Sequence, residues 1–260
     1  MDGVIRYCLM VALVATALAG CVTSTTRPGT PASPDEAARY NMQLGISYLR
    51  QGDYKAAQEK LERALATDDR LGLAHMGLGV VLEKLGDPAG AERSYRRAVA
   101  LEGENPDALN ALAVFLCLQK QERAEALRLF DRALAVPPAR AESNKAMINT
   151  NAGTCAKRGS LDRAETYLRA ALAIDPQFPA ALLQMADVAF TRGVFLQARA
   201  FLERFLVAAP ATPDALWLGF RIEQAQGSAA AAADYADRLK RDFPESIETR
   251  QLIEGERRGG

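Results

Sequence analysis

The sequence predicts an all-α fold in which six helical hairpins stack into a right-handed superhelix that a C-terminal capping helix closes. Alanine, leucine, arginine and glutamate dominate the 260-residue chain after residue 36, and glycine and proline recur at intervals, as in helices joined by short turns. Hydrophobic residues make up 49% of the chain and charged residues 25%, so the chain can bury a long core. A small residue recurs about every 34 positions, at Ala57, Ala91, Ala126, Ala164, Ala198 and Ala232. This period predicts a repeat array.

The first 20 residues have the features of a secretory signal peptide. Arg6 precedes an apolar stretch of thirteen residues, from Tyr7 to Ala19, which is too short for a transmembrane helix of about 20 residues. The stretch ends in the sequence LAGC, which resembles the bacterial lipobox, in which the cysteine thiol receives a diacylglycerol. We therefore expect cleavage before Cys21 and a covalent lipid on Cys21, with no other cofactor. An ordinary signal peptide with an incidental cysteine, or an uncleaved anchor, is the alternative.

Residues 21–36 are expected to form a lipidated, flexible tether. The segment from Val22 to Glu36 is rich in serine, threonine and proline and almost free of large apolar residues, so it cannot bury a core. Acyl chains on Cys21 would hold the protein stably on a membrane, because each buried methylene contributes about 0.8 kcal/mol. Val22 stands where aspartate retains lipoproteins in the inner membrane of some bacteria. The resemblance therefore implies the periplasmic face of the outer membrane.

Residues 37–245 are predicted to contain the six hairpins. The segment LGISYLRQGDYKAAQEKLERAL and its second copy LGVVLEKLGDPAGAERSYRRAV share a glycine on a first helix, a Gly-Asp turn, and small and large residues at matching offsets on a second helix. This pattern resembles the tetratricopeptide repeat. The marker alanines are spaced by 34, 35, 38, 34 and 34 residues, and Pro176, Pro210 and Pro244 lie 34 apart where a helix must end. The 38-residue spacing predicts a longer connection around residues 137–143, and residues 246–260 are expected to form the capping helix and a tail.

The first helices of such an array line a concave groove, which is the usual binding surface of the fold. Helical offsets predict an apolar floor with basic edges, suited to an extended or helical peptide segment. The predicted floor residues are Met42, Ile46, Leu49, Leu73, Met76 and Val80, and the predicted basic residues near the rim are Arg39, Arg50 and Lys84. Packing between hairpins is the alternative role for these side chains.

Two cysteines, Cys117 and Cys155, remain if Cys8 leaves with the signal peptide and Cys21 carries lipid. They fall at a similar level on the first helices of the third and fourth hairpins, and an exported protein meets an oxidising compartment. A disulfide is therefore reasonable; closing a loop of this length would stabilise the fold by about 4 kcal/mol on the chain-entropy model. Two buried free thiols are the alternative.

The sequence lacks the parts that enzymes and metal sites need. The single histidine, His75, has no cysteine or carboxylate at ligand spacing, and no Walker-type or GxGxxG loop follows a strand-like segment. Acidic and basic residues number 32 each, without a basic run, which argues against nucleic-acid binding. We therefore expect a protein-binding module that is not an enzyme and has neither a metal site nor a small-molecule substrate.

The two cysteine-containing segments carry a more specific resemblance. The motifs NALAVFLC, which begins at Asn110, and NAGTC, which begins at Asn151, resemble the PilF/PilW family of type IV pilus biogenesis lipoproteins, the secretin pilotins. The resemblance covers essentially residues 1–245, and alanine at 113, where family members commonly have glycine, is a small departure. It implies that Cys117 pairs with Cys155, and that the protein binds the type IV pilus secretin subunit and promotes its outer-membrane localisation and multimerisation.

Two other functions remain open from the sequence. One is an adaptor of another envelope machine, such as the tight-adherence pilus or barrel assembly, whose pilotin-like lipoproteins have similar repeats but are not expected to carry the cysteine pair. The other is a periplasmic regulator that docks on peptidoglycan enzymes or proteases. Both are binding functions, so they differ from the pilotin hypothesis in the partner rather than in the fold.

Overall fold

The computed structural model describes residues 33–137 and 144–259. These residues form thirteen α-helices and no strand, which confirms the all-α prediction. The first twelve helices pair as six consecutive hairpins and the last is single. The helices are α1 (Pro34–Gln51), α2 (Tyr54–Thr67), α3 (Gly72–Leu85), α4 (Pro88–Leu101), α5 (Pro106–Phe115), α6 (Arg123–Ala135), α7 (Lys145–Lys157), α8 (Leu161–Ile174), α9 (Pro179–Thr191), α10 (Phe195–Ala208), α11 (Pro213–Ala225), α12 (Ala229–Asp242) and α13 (Ile247–Gly259).

The helical domain begins three residues before the predicted boundary at residue 37. Ser33 caps α1: its Oγ accepts a hydrogen bond from the Glu36 amide at 3.2 Å, and the Glu36 carboxylate accepts one from the Ser33 amide at 2.8 Å. Pro34 occupies the first helical turn, where its missing N–H costs no hydrogen bond. The predicted tether is therefore too long at its C-terminal end. The predicted signal peptide, the lipidation site Cys21 and the remainder of the tether lie outside the described residues.

The six marker alanines lie where the two helices of each hairpin touch. Five of them are fully buried and Ala232 is 5% exposed. The facing residue on the first helix is equally small: a Cβ atom at Gly45 would lie 2.7 Å from Leu61 Cγ, and one at Gly153 would lie 2.7 Å from Leu168 Cγ. Because such distances are well inside van der Waals contact, glycine at these positions allows the close approach of the helices.

The turn of the third hairpin differs from those of its neighbours. Hairpins 1 and 2 turn through glycines with positive φ, Gly52 at 79° and Gly86 at 83°. Hairpin 3 has one more residue between its helix contacts, and this residue widens the end of α5 into a π-helix, Leu116–Lys120. Gln121 then takes the left-handed conformation with a φ of 58°. The π-helix accounts for the single 35-residue spacing in the sequence.

The predicted longer connection lies between hairpins 3 and 4. Nine residues separate α6 from α7, whereas four separate α4 from α5. Its two ends are held to the neighbouring helices. The Lys145 ammonium donates to the Leu134 carbonyl at 3.2 Å, and the Asn144 amide donates to Asp107 Oδ1 at 3.4 Å.

The hydrophobic core runs along the array as a series of clusters, each shared by neighbouring hairpins. At the C-terminal end, Leu252 of α13 is buried in the cluster formed with hairpin 6. Thr249 Oγ1 lies 2.7 Å from the Phe243 carbonyl oxygen and 3.2 Å from that of Leu239, close enough to hydrogen-bond. The terminal helix thus covers the apolar face of the last hairpin, as predicted for a capping helix.

Charged side chains link successive hairpins outside the core. Where these pairs are exposed to solvent, each contributes little to stability. The pairs that cross between hairpins include Arg96 with Glu125 at 2.8 Å, Lys120 with Glu92 at 2.9 Å, Arg163 with Asp131 at 2.9 Å, and Arg199 with Glu223.

Candidate functional site

The first helices α1, α3, α5, α7, α9 and α11 contact one another from hairpin to hairpin. In an array of this kind they line the concave face, here called the groove. The groove has two parts with different chemistry. Hairpins 1 and 2 contribute mainly apolar side chains, and hairpins 3 to 5 contribute a chain of polar ones.

The predicted floor residues of α1 are only partly available to a ligand. Met42, Ile46 and Leu49 are half-buried and contact the hydrophobic cluster between hairpins 1 and 2. A Cβ atom at Gly77 of α3 would lie 2.7 Å from Ile46 Cδ1, so Ile46 fills the space beside this glycine. These three side chains therefore take part in packing between hairpins, the alternative role that the sequence left open.

The floor residues of α3 are open to different degrees. Val80 is half-buried and packs against the cluster of hairpins 2 to 5, and Met76 is also half-buried. Leu73 is 42% exposed, the most open of the predicted floor residues. The predicted basic residues, Arg39, Arg50 and Lys84, are all exposed. Binding of a partner by these nine residues stays a prediction.

The groove becomes polar at hairpin 3. Asn151 Nδ2 on α7 donates to Asn110 Oδ1 on α5 at 3.0 Å. The Lys157 ammonium, also on α7, donates to Gln184 Oε1 on α9 at 2.9 Å and forms an ion pair with Asp187. Sequence reasoning assigned no binding role to these residues. An asparagine in a helix interior is disfavoured by intrinsic propensity, and this signal could have marked Asn110 and Asn151.

A disulfide joins the first helices of hairpins 3 and 4 beside this polar chain. The Sγ atoms of Cys117 and Cys155 are 2.10 Å apart and their Cα atoms 6.0 Å apart. Cys117 lies in the π-helix and Cys155 on α7, and both are buried. The bridge and the Asn110–Asn151 hydrogen bond therefore hold α5 against α7.

An aromatic cavity of about 560 Å³ lies between α11 and the capping helix. The rings of Trp217 and Phe220 stack on its wall with centroids 5.3 Å apart. The sequence could not indicate this cavity, because it depends on where α13 packs. Its other lining residues are Gln224, Gln251, Leu252, Gly255 and Glu256.

His75 has a structural contact rather than a set of ligands. Its Nε2 lies 3.0 Å from the Asp69 carbonyl oxygen. Across residues 33–137 and 144–259, no group of three or more histidine, cysteine, aspartate or glutamate side chains is placed to hold a metal ion. In the same part of the chain, no helix has both the length and the apolar character of a membrane span.

Two comparisons with family models agree with this architecture. One tetratricopeptide repeat model matches residues 42–108 and 82–141, and a second matches residues 156–219. Together with the six stacked hairpins, these matches define the class: the chain is a tetratricopeptide repeat protein.

The relatives narrow the class to a family. The type IV pilus assembly protein PilF of Pseudomonas aeruginosa is 29% identical over 248 residues, which cover 94% of this chain and 96% of PilF. The crystal structure of PilW, a widely conserved type IV pilus biogenesis factor, matches with a TM-score of 0.77 and 30% identity over 83% of this chain and 98% of PilW. The solved PilF structure matches with a TM-score of 0.71 and 27% identity, over 85% of this chain and 99% of that one. The chain belongs to the PilF/PilW family of tetratricopeptide repeat proteins of type IV pilus biogenesis.

Proposed function

We propose that this protein is a lipid-anchored pilotin of the outer membrane, which binds the type IV pilus secretin subunit and promotes its multimerisation. The observation that carries the proposal is the match to PilF and PilW over nearly the whole length of both relatives. A relative that shared only the generic repeat would match over a fraction of its length. End-to-end agreement supports a role in the same process.

The parts of the chain fit this role without any covalent chemistry on the client. A lipid on Cys21 supplies the membrane address, and the residues before Ser33 supply reach. The groove supplies the client site, with exposed Arg39, Arg50 and Lys84 around apolar side chains at one end. Side-chain amides on hairpins 3 to 5 continue the groove toward the other end.

A gene deletion tests the proposal in the cell. We expect the deletion strain to lose the secretin multimers that survive mild detergent on a gel, and a plasmid copy of the full-length gene to restore them. The variant Cys21→Ala, which cannot be lipidated, should leave the secretin subunit outside the outer-membrane fraction. Multimers that persist unchanged in the deletion strain would contradict the proposal and favour an adaptor of another envelope machine.

Direct binding tests the partner. Full-length protein purified in detergent is expected to capture the purified secretin subunit in a pull-down. An unrelated β-rich periplasmic protein serves as the negative control. Equal recovery of both proteins would show that capture is non-specific.

A further inference from the structure

The Asn110–Asn151 pair is an unusual feature for a helical array, because both residues lie in helix interiors. The close contacts with the second helices are made by Ala113 on α5, which is fully buried, and by Gly153 on α7. The asparagines lie on another side, facing each other across the gap between α5 and α7. Asn110 is 9% exposed and Asn151 is half-buried. The pair therefore belongs to the surface between first helices, where the groove floor lies.

The hydrogen bond between the two asparagines leaves part of each side chain unused. A carboxamide has two N–H donors and an oxygen with two lone pairs. Within residues 33–137 and 144–259, Asn110 Nδ2 has no hydrogen-bond acceptor and Asn151 Oδ1 has no donor. Neither atom is sealed from solvent. The pair thus offers one donor and one acceptor side by side, the same two groups that a peptide unit offers in return.

The next gap between first helices repeats this arrangement. Gln184 Oε1 accepts from Lys157, whereas Gln184 Nε2 has no partner in the described part of the chain. Packed helices are roughly 8–10 Å apart, and an extended peptide advances about 3.3 Å per residue. One extended segment would therefore meet a side-chain amide about every three residues as it crosses from α5 to α9.

The hydrogen-bonding capacity of the floor decides between an extended and a helical ligand. In a helix, the N–H and C=O groups away from the ends already bond to one another, so a helical ligand would leave these asparagines unmatched. In an extended segment both groups are free. We propose that the groove of hairpins 3 to 5 binds the main chain of an extended peptide, with Asn110 Nδ2 donating to a carbonyl oxygen and Asn151 Oδ1 accepting from an amide N–H.

This inference rests on the proposed function, because the secretin client would occupy the same groove, but it adds the conformation of the client and the residues that read it. Main-chain recognition is largely independent of sequence. The apolar side chains of hairpins 1 and 2 would then supply the preference for particular client side chains. The two parts of the groove have separate tasks on this view.

Peptide binding to the full-length protein tests the inference. Overlapping 15-residue peptides covering the secretin subunit are measured by fluorescence anisotropy, and the tightest one is measured again on the double variant Asn110→Ala/Asn151→Ala. We expect a loss of affinity of at least tenfold. Asn149→Ala is the matched control, since Asn149 is on the same helix but donates to the Lys145 carbonyl. Equal affinity of the double variant and the wild type would overturn the inference.

A second measurement does not depend on the fold of a variant. Each amide N–H of the same peptide is replaced in turn by N–CH₃ and binding to the wild type is measured. We expect one position to lose at least tenfold, and that loss to disappear on Asn151→Ala. Tolerance of N-methylation at every position, or a helical circular dichroism spectrum of the bound peptide, would contradict main-chain recognition.

The two proposals fail in different ways. If no secretin peptide binds the wild type, the proposed partner is wrong. A phage library of random 12-residue peptides then tests the groove alone. Ligands selected on the wild type should lose binding on the double variant. Ligands that bind both proteins equally, or a selection that enriches nothing, would rule out the extended-peptide site.

Discussion

Glu223 on α11 is buried at 4% side-chain exposure and forms an ion pair with Arg199 on α10. The Arg199 Nε donates to Glu223 Oε1 at 2.6 Å, and Nη2 donates to the other carboxylate oxygen. Two parallel hydrogen bonds to one carboxylate fix the geometry of both groups. This pair joins hairpin 5 to hairpin 6 by a defined contact in addition to apolar packing.

Removing the cation of this pair should cost more stability than removing the anion. Arg199→Ala leaves a buried carboxylate without a counter-charge, whereas Glu223→Ala leaves an arginine that can reach water. We expect thermal melts followed by circular dichroism to show a larger fall in Tm for Arg199→Ala. The variant Arg63→Ala, which removes an exposed pair with Glu59 on α2, is the control and should melt as the wild type does. The reverse order of the two Tm values would contradict this account.

The disulfide should account for a measurable share of stability. Breaking the Cys117–Cys155 bridge frees a loop that the chain-entropy model values at about 4 kcal/mol. We expect reductant to lower the urea midpoint of the wild type toward that of Cys117→Ser/Cys155→Ser. The double variant itself should not respond to reductant, and a response there would mean that reductant acts elsewhere.

Close helix contact makes Gly153 intolerant of a side chain. The Cβ of Gly153→Ala would meet Leu168 Cγ at 2.7 Å, so α7 and α8 must move apart, at a cost of about 1–3 kcal/mol for an overpacked core. Gly255→Ala on α13 is the matched control, because a Cβ there meets nothing within 4 Å. It should be neutral or stabilising by about 0.5–1 kcal/mol through helix propensity. Urea unfolding of both variants measures the contrast, and similar losses in both would refute it.

Two carboxylates should make hairpins 2 and 3 sensitive to acid. Hydrogen bonds from Lys120 and Arg96 hold the pKa of Glu92 below its ordinary value, and Arg96 does the same for the pKa of Glu125. A carboxyl with a lowered pKa stabilises the folded state above its unfolded pKa of about 4.3, and the contribution is lost as pH falls through the folded pKa. We expect the unfolding free energy to fall below about pH 4.5.

The variant Glu92→Gln tests the assignment of this acid sensitivity. It should be less stable than the wild type at pH 7, and the difference should shrink toward pH 3, where the wild-type carboxyl is also neutral. Urea titrations at both pH values measure it. A difference that is constant with pH would point to packing rather than charge.

Charge reversal at the groove tests the client site. The double variant Arg39→Glu/Arg50→Glu should capture less secretin subunit in a pull-down, if the exposed basic residues of α1 face an acidic stretch of the client. Arg63→Glu on α2 adds the same charge away from the first helices. Undiminished capture by the double variant would place the client elsewhere.

The repeat period carried most of the fold. Alanine at the six marker positions is small because two helices touch there, and this requirement is visible in the sequence since it recurs in phase. The start of α1 was harder to predict. Pro34 reads as part of a proline-rich tether, yet the capping box between Ser33 and Glu36 makes it the first residue of a helix.

The groove was predicted less well than the fold. Helical offsets place Ile46 on the inner face, but they cannot tell a side chain that waits for a ligand from one that fills the space beside Gly77 of the next hairpin. The Asn110–Asn151 contact joins residues 41 positions apart, so no local pattern reveals it. The π-helix was also hidden, because an extra residue can equally well enter a loop.

The disulfide has a consequence for how the chain matures. Residues 33–260 contain two cysteines, so oxidation of this part of the chain has one possible product and no wrong partner to exchange with. A denatured, reduced sample of these residues could therefore regain its bridge in a single oxidation, without reshuffling by an isomerase. The lock between hairpins 3 and 4 thus adds stability without adding alternative pairings on the way to the folded protein.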